Sequence, residues 1–425
     1  MKAFLASLWK SPFVKNTSYL ISGTAISQLI GILLTPILSR YYSPTDFGIF
    51  GSIITLAGIL QSFGTLKFEM GIVQADSNKE AERLALISVF FLTSSLIIFF
   101  VGILIFPNLI GYLGISSPNT FIVFITVFIA LILGYNRVFI QIHNRFKQYY
   151  LISKKAVLDR LTTVIFQLAW VFIFATGIGL VYGNIFGGII SLVVLASPFY
   201  LHIKELKCSY KKLKSTAKKY YRYALYTAPK NLLNAVSQGL PIIMFGRYFG
   251  ENEVGRYFFA VRILQLPSAL IGEAVKQVFY KEAADFKEDI VTLKKKFFKV
   301  TFSLLGIILL PTLIVFLWGD VLFSFFFGDE WEVAGEYASW MFLWLSIGFV
   351  NPPASAMYFI LNKQREQLFY EIGLFSFRYG ALVFGGMRND ILFTVQIYSI
   401  IGMIFNIGYI VYISIYLCNR NISRG

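Results

Sequence analysis

Apolar runs of about 20 residues recur along the whole chain, parted by short polar stretches. They lie near 18–39, 47–66, 84–106, 120–142, 156–177 and 179–201, and again near 224–246, 255–279, 298–319, 335–361, 368–387 and 391–417. A helix of that length spans the hydrocarbon core of a bilayer, about 30 Å at a rise of about 1.5 Å per residue. The runs lack the dyad alternation of membrane strands, so helices are predicted throughout. The pattern predicts an all-α integral membrane protein with twelve transmembrane helices. Its weakest division is the short 175–180 stretch between spans five and six.

Composition agrees with the pattern. Of 425 residues, 57% are hydrophobic and 14% are charged, against about 25% charged in soluble domains. Such a chain would expose large apolar areas in water. A soluble enzyme, a disordered chain and a disulfide-rich secreted module are thereby excluded.

Charge then orients the spans. The net charge is +16. In a soluble protein that excess would suggest nucleic acid, but here 28 of the 38 Lys and Arg residues fall in alternate connections and at both ends. Cytoplasmic loops carry such an excess, so both termini are expected in the cytoplasm, with no nucleic-acid partner. The first sixteen residues read as an interfacial lead-in and not a signal peptide. Cys208 and Cys418 fall on the cytoplasmic side and are expected as free thiols. The longest outer connection, 319–335, is acidic. The longest inner one, 202–223, is basic and sits midway. It reads as a topological anchor and a surface for anionic lipid headgroups, with a regulatory or partner site as the alternative.

That basic loop divides the chain into an N-terminal six-helix bundle (1–203), a cytoplasmic linker (204–223) and a C-terminal six-helix bundle (224–425). Arg40-Tyr-Tyr-Ser-Pro-Thr-Asp-Phe-Gly-Ile-Phe50 joins spans one and two. Arg247-Tyr-Phe-Gly-Glu-Asn-Glu-Val-Gly-Arg-Tyr257 joins spans seven and eight, 207 positions later. Each follows a proline-containing helix with a Ser-Gln pair (Ser27-Gln28, Ser237-Gln238). Duplication explains two such matches at the same point of each half. Six spans per half make the repeat parallel, with a pseudo-axis along the membrane normal. Two pseudo-symmetric bundles around a central cavity are expected.

Ionisable residues at bilayer depth are costly and default to functional candidates. Arg262, Glu273 and Lys276 of span eight share one helical stripe with Gln265 and Ala269, and Pro267 predicts a kink within it. Lys230, Asn234 and Ser237 share a face of span seven. Glu371 and Arg378 share one in span eleven. Arg160, Thr163 and Gln167 do so in span five, beside Asp159. In span one Thr17, Thr24, Gln28, Gly31 and Thr35 form a polar and small stripe. Helix packing competes with function for all of these. Arg137, Lys230 and Lys276 lie near helix ends, where snorkelling competes as well. Tyrosine and tryptophan suit sugar faces, but 25 Tyr and 6 Trp single out none.

Several stretches resemble the bacterial polysaccharide flippases of the Wzx type, within the multidrug/oligosaccharidyl-lipid/polysaccharide exporter superfamily. They are Tyr226-Thr-Ala-Pro-Lys-Asn-Leu-Leu-Asn-Ala-Val-Ser-Gln-Gly-Leu-Pro241, Gly255-Arg-Tyr-Phe-Phe-Ala-Val-Arg-Ile-Leu-Gln-Leu-Pro267 and Gln277-Val-Phe-Tyr280. Pro352-Pro353, Asn362-Lys-Gln-Arg365 and Arg378 also match. The resemblance implies a V-shaped pair of six-helix bundles in the bacterial cytoplasmic (inner) membrane. It implies transfer of undecaprenyl-diphosphate-linked oligosaccharide from the cytoplasmic to the periplasmic leaflet, for O-antigen, capsule or exopolysaccharide. Membrane lipids, a polysaccharide polymerase and a chain-length regulator are the implied partners. A lipid diphosphate needs cations that replace its hydration, and Arg and Lys supply them. Arg262, Lys230, Arg378, Arg160, Lys276 and Arg137, with Asn234, are the expected substrate-binding residues. Glu273, Asp159, Glu69 and Glu371 are candidates for coupling to H+ or Na+.

No catalytic set accompanies these residues, so no enzyme is expected. His143 and His202 sit at predicted helix ends, leaving no histidine metal or triad site. No Walker-type loop is present, and no cofactor or metal is expected. Two other readings compete. A cation-coupled drug antiporter of the same superfamily favours an acidic pocket, whereas span one has no acid and the intramembrane excess is basic. A membrane polysaccharide polymerase needs a large outer loop, and here the outer loops are short.

Overall fold

The computed structural model describes residues 12–108, 111, 120–174, 176–197, 209–266, 289–361 and 363–422, with 272, 275, 276, 279, 280, 282, 283 and 286 between them. No strand occurs among them. The helices are α1 (Pro12–Tyr41), α2 (Pro44–Gly64), α3 (Asn78–Ile105), α4 (Thr120–Arg145), α5 (Tyr149–Phe174), α6 (Gly179–Ala196) and α7 (Tyr210–Lys219). There follow α8 (Ala228–Tyr248), α9 (Glu251–Leu264), α10 (Ile290–Phe327), α11 (Glu332–Val350), α12 (Pro352–Ile360), α13 (Gln364–Arg388) and α14 (Ile391–Ile422). Among the described residues, nine helical segments are long and apolar enough to cross a membrane. The helices α8, α9 and α13 fall outside that set. They carry Lys230 and Arg247, a cluster of acids at the start of α9, and Glu366, Glu371 and Arg378. The protein is a multi-pass membrane protein.

Several elements differ from simple spans. The run at 335–361 is broken at Asn351, where Pro352 starts a new helix and cannot donate to the old one. The run at 298–319 belongs to a 38-residue helix, bent at Trp318 (φ −134°, ψ 24°) and holding Pro311. The expected stripe of span eight is interrupted, because α9 ends at Leu264, with Gln265 as its C-cap. Glu273, Pro267 and Ala269 lie outside the described residues, as does Cys208. Cys418 is a free thiol.

The chain packs as two compact units, Met1–Arg247 and Tyr248–Gly425. The sequence repeat divides it earlier, at the basic loop. Packing places α8 with the first unit, where Gly239 lies against Thr55 and Ile59 of α2. Within the first unit α5 pairs with α1 and α6, and α4 with α2, α3 and α6. Within the second, α11 packs on α9, α10 and α14, and α13 on α14. Long apolar side chains such as Leu33, Ile98, Phe172, Leu310 and Phe325 are exposed, which suits a lipid-facing surface and not a water-facing one.

The repeated motif makes the corner after the first helix of each pair. Ser43 caps α2 in a capping box: its hydroxyl accepts from the Asp46 backbone amide, and its own amide donates to Asp46 at 2.9 Å. Tyr42 is fully buried and its hydroxyl donates to the Gln167 carbonyl at 2.6 Å. At the matching position of the second unit Glu253 pairs with Arg256 at 2.6 Å and accepts from the Tyr337 hydroxyl at 2.5 Å. The motif acid thus ties down each corner.

Candidate functional site

In the first unit, two places gather charge. Arg160 on α5 lies against the backbone of α1 at Gly31, in the space that a side chain there would fill. The absence of a Cβ at Gly31 lets the guanidinium approach so closely. Asp159 beside it forms its ion pair with Lys155, one turn back, at 3.1 Å. Thr163 and Gln167 are buried on the same helix, and the Gln167 amide donates to the Leu180 carbonyl at 3.0 Å. That part of the span-five stripe is therefore engaged in packing on α6.

The second place is the turn after α2. A 3-10 turn (Phe68–Met70) and one helical turn (Gly71–Gln74) lead towards α3. Lys67 enters it in the left-handed region (φ 59°) and is only 3% exposed. Its ammonium stands 3.7 Å from the carboxylate of Glu69, which is 0% exposed. Neither oxygen of Glu69 has a hydrogen-bond donor among the described residues. Burial pushes the Lys67 ammonium below its ordinary value, Glu69 opposes that shift and nearby Arg137 adds to it. Arg137 itself is exposed on α4. On α8, Lys230, Asn234 and Gln238 are all exposed, one turn apart, and the Gln238 amide reaches the Asn234 side chain at 3.3 Å. An open polar stripe of this kind needs water or polar partners along it.

In the second unit the centre is Arg378 on α13. Its guanidinium carbon lies 4.3 Å from the ring centre of Trp344 on α11 and 4.4 Å from that of Tyr398 on α14. It approaches the α14 backbone at Gly402, again where no Cβ intervenes. Its Nε and one terminal nitrogen are buried without a hydrogen-bond acceptor among the described residues. Glu371, two turns earlier on α13, is exposed, and the rings are what clamp the arginine. One helical turn away, Asn406 accepts from the Asn351 amide at 2.5 Å and from the Tyr370 hydroxyl at 3.2 Å. This knot sits at the break between α11 and α12. Arg262 is half-buried in the last turn of α9, and Lys276 is half-buried beyond it. Residues 267–271, 273 and 274 between them lie outside the described residues.

Arg160 lies on α5 and Arg378 on α13. Each rests against a glycine of a neighbouring helix in its own unit. Sequence reasoning selected both arginines but missed Lys67, which reads as one more cytoplasmic base. It also missed Trp344 and Tyr398, which nothing in the sequence distinguishes from other aromatics. Among the described residues no three His, Cys, Asp or Glu side chains gather as metal ligands.

Comparison with known proteins places this arrangement. The profile of a family described as polysaccharide biosynthesis protein matches residues 37–336. The teichuronic acid biosynthesis protein TuaB of Bacillus subtilis (strain 168) is 25% identical over 199 residues, covering 45% of this chain and 40% of that protein. The matched stretch thus spans less than half the length of that relative. Among solved structures, the lipid II flippase MurJ in an inward closed conformation is similar with a TM-score of 0.72 at 14% identity, covering 92% of this chain and 86% of that one. An inward-facing multidrug resistance MATE family transporter of the MOP superfamily is similar with a TM-score of 0.65 at 16% identity, covering 96% of each chain. These two likenesses concern the fold. The family match covers well over half of the sequence, and the chain belongs to the polysaccharide biosynthesis protein family.

Proposed function

We propose that the protein is a flippase that carries undecaprenyl-diphosphate-linked oligosaccharide from the cytoplasmic to the periplasmic leaflet for surface polysaccharide synthesis. In this reading it has twelve spans, keeps both termini in the cytoplasm and works by alternating access through a cationic cavity. The carrying observation is Arg378, whose guanidinium sits between two aromatic rings with two buried donors unmet among the described residues. Buried donors usually find a partner. A phosphate oxygen is a strong acceptor for them. Arg160 supplies the equivalent cation in the first half, and Lys230 with Asn234 offers an open polar track. Arg262, Lys276 and Arg137 complete the set of bases.

Coupling to H+ or Na+ falls to Glu69 first in this reading. It is a buried carboxylate whose one ion pair among the described residues is a 3.7 Å contact with Lys67, so gain of a proton or cation changes its surroundings most. Asp159 is already paired with Lys155, and Glu371 is exposed. A polysaccharide polymerase and a chain-length regulator would act on the same product. The test is complementation: the gene should restore surface polymer to a strain that lacks its own flippase for a matching repeat unit. Accumulation of lipid-linked units on the cytoplasmic side despite normal protein levels would refute the reading.

A further inference from the structure

The basic loop forms a helix with two unlike faces. In α7, at about 100° per residue, Leu213, Thr216 and Ala217 fall on one arc and Tyr220 just past the helix continues it. Leu213, Ala217 and Tyr220 pack on the apolar cluster of Phe68, Ile72, Leu84 and Ile87, and Thr216 is buried. Lys219 lies on the opposite arc, about 20° from Lys212, and reaches back to this unit, with its ammonium 2.7 Å from Asp76 and 2.6 Å from Glu80. Arg83 adds a 3.3 Å hydrogen bond to the Thr216 hydroxyl. That opposite arc, about 160° wide, also holds Lys211, Lys212, Lys214 and Lys218. All four are exposed, and none has a carboxylate within ion-pair distance among the described residues. Tyr210 (77% exposed) and Tyr221 (48% exposed) flank them, with exposed Arg222.

We propose that α7 is a docking surface for anionic phospholipid headgroups of the cytoplasmic leaflet. The proposal rests on the orientation given under Proposed function. Charge complementarity carries it. One of the five lysines of α7 is neutralised internally, and the other four point outward with no acid among them. A pair of tyrosines at their edge matches the amphipathic depth of a headgroup layer. Because Lys219 and the apolar face hold the helix against the first unit, the four lysines form a preset array and lose little freedom on binding. The helix runs directly into the π-helical turn Tyr223–Thr227 and α8, so an anionic leaflet would hold the entry to the Lys230–Asn234 track.

The test is lysine footprinting of the full-length protein in nanodiscs, which leave both membrane faces accessible. A neutral amine-reactive reagent and peptide mass spectrometry give the rate at each lysine. One set of discs is phosphatidylcholine and the other contains added phosphatidylglycerol. Labelling of Lys211, Lys212, Lys214 and Lys218 should slow about fivefold in the anionic discs, the factor a single base gains at such a surface. About 1 M salt, which shortens the screening length to about 3 Å, should restore it. Lys219 should label slowly in both. Equal rates at the four lysines in both discs would overturn the proposal, and so would equal protection by inorganic phosphate in phosphatidylcholine discs. No substrate is needed. Loss of flipping with intact protection would refute only the transport reading, and intact flipping without protection would refute only this one.

Discussion

The guanidinium carbon of Arg378 lies 4.3 Å from the ring centre of Trp344, with Tyr398 closing the other side at 4.4 Å. A desolvated cation–π contact contributes about 2 kcal/mol. The rings hold the planar group, and its Nε and one terminal nitrogen are buried without an acceptor among the described residues. Lysine cannot reproduce that fit, because its ammonium is a point charge on a flexible stem. Arg378→Lys should therefore lower flipping about tenfold, as expected for loss of a bidentate phosphate contact, while membrane levels stay normal. A variant that flips at the wild-type rate would show that the arginine only packs.

Lys67 and Glu69 form a buried pair, and removing one partner leaves the other charge uncompensated. Lys67→Met should destabilise the protein by about 3–5 kcal/mol. Lys67→Met combined with Glu69→Met should recover most of that loss, since two well-packed apolar groups replace the pair. Thermal unfolding in detergent checks both. If the single variant melts with the wild type, the pair does not hold this turn in place.

The mooring of α7 has a defined pH window. The hydrogen bond from Lys219 holds the Asp76 carboxyl below its ordinary 3.8. Asp76 thus contributes stability above that value and loses it as the pH falls through the lowered one. Hydrogen bonds to Asp76 and Glu80 hold the Lys219 ammonium above its ordinary 10.5. Its contribution is complete below that value and disappears as the pH rises through the raised one. A nitroxide placed at exposed Ser215 should show constant mobility between 3.8 and 10.5, and loosen only beyond those limits. Loosening near neutral pH would mean that another group fastens the helix.

How far the sequence reached depended on what each residue borrows from its neighbours. The apolar runs were legible because a bilayer demands length and hydrophobicity from a single segment. The corner motif was legible because the same Asp or Glu recurs at the same offset, and capping is a local interaction. Arg160 and Arg378 stood out because charge is rare at that depth. Their surroundings did not, since Gly31, Trp344 and Gly402 lie on other helices. Lys67 looked like a solvated cytoplasmic base, but the left-handed turn at Leu66 and Lys67 folds it inward. Likewise Lys219 was one of many lysines until Asp76 and Glu80 singled it out. The stripe of Arg262, Glu273 and Lys276 was drawn with a kink at Pro267; α9 ends at Leu264, just before it, and Glu273 lies outside the described residues.

Arg262 remains a separate test, because it sits in the last turn of α9 and resembles the arginine of the flippase family. Arg262→Ala should reduce polymer export sharply with normal insertion, read by complementation and by protein level in the membrane fraction. Full complementation would remove Arg262 from the cationic set.

The central claim is that these cations serve a diphosphate-bearing glycolipid, and transport by the purified protein in vesicles tests it most directly. Movement of polyprenyl-diphosphate-linked oligosaccharide across the bilayer should be protein-dependent and should fall with Arg160→Ala and Arg378→Ala. A protein that leaves that lipid in place but exports a cationic dye such as ethidium would contradict the account.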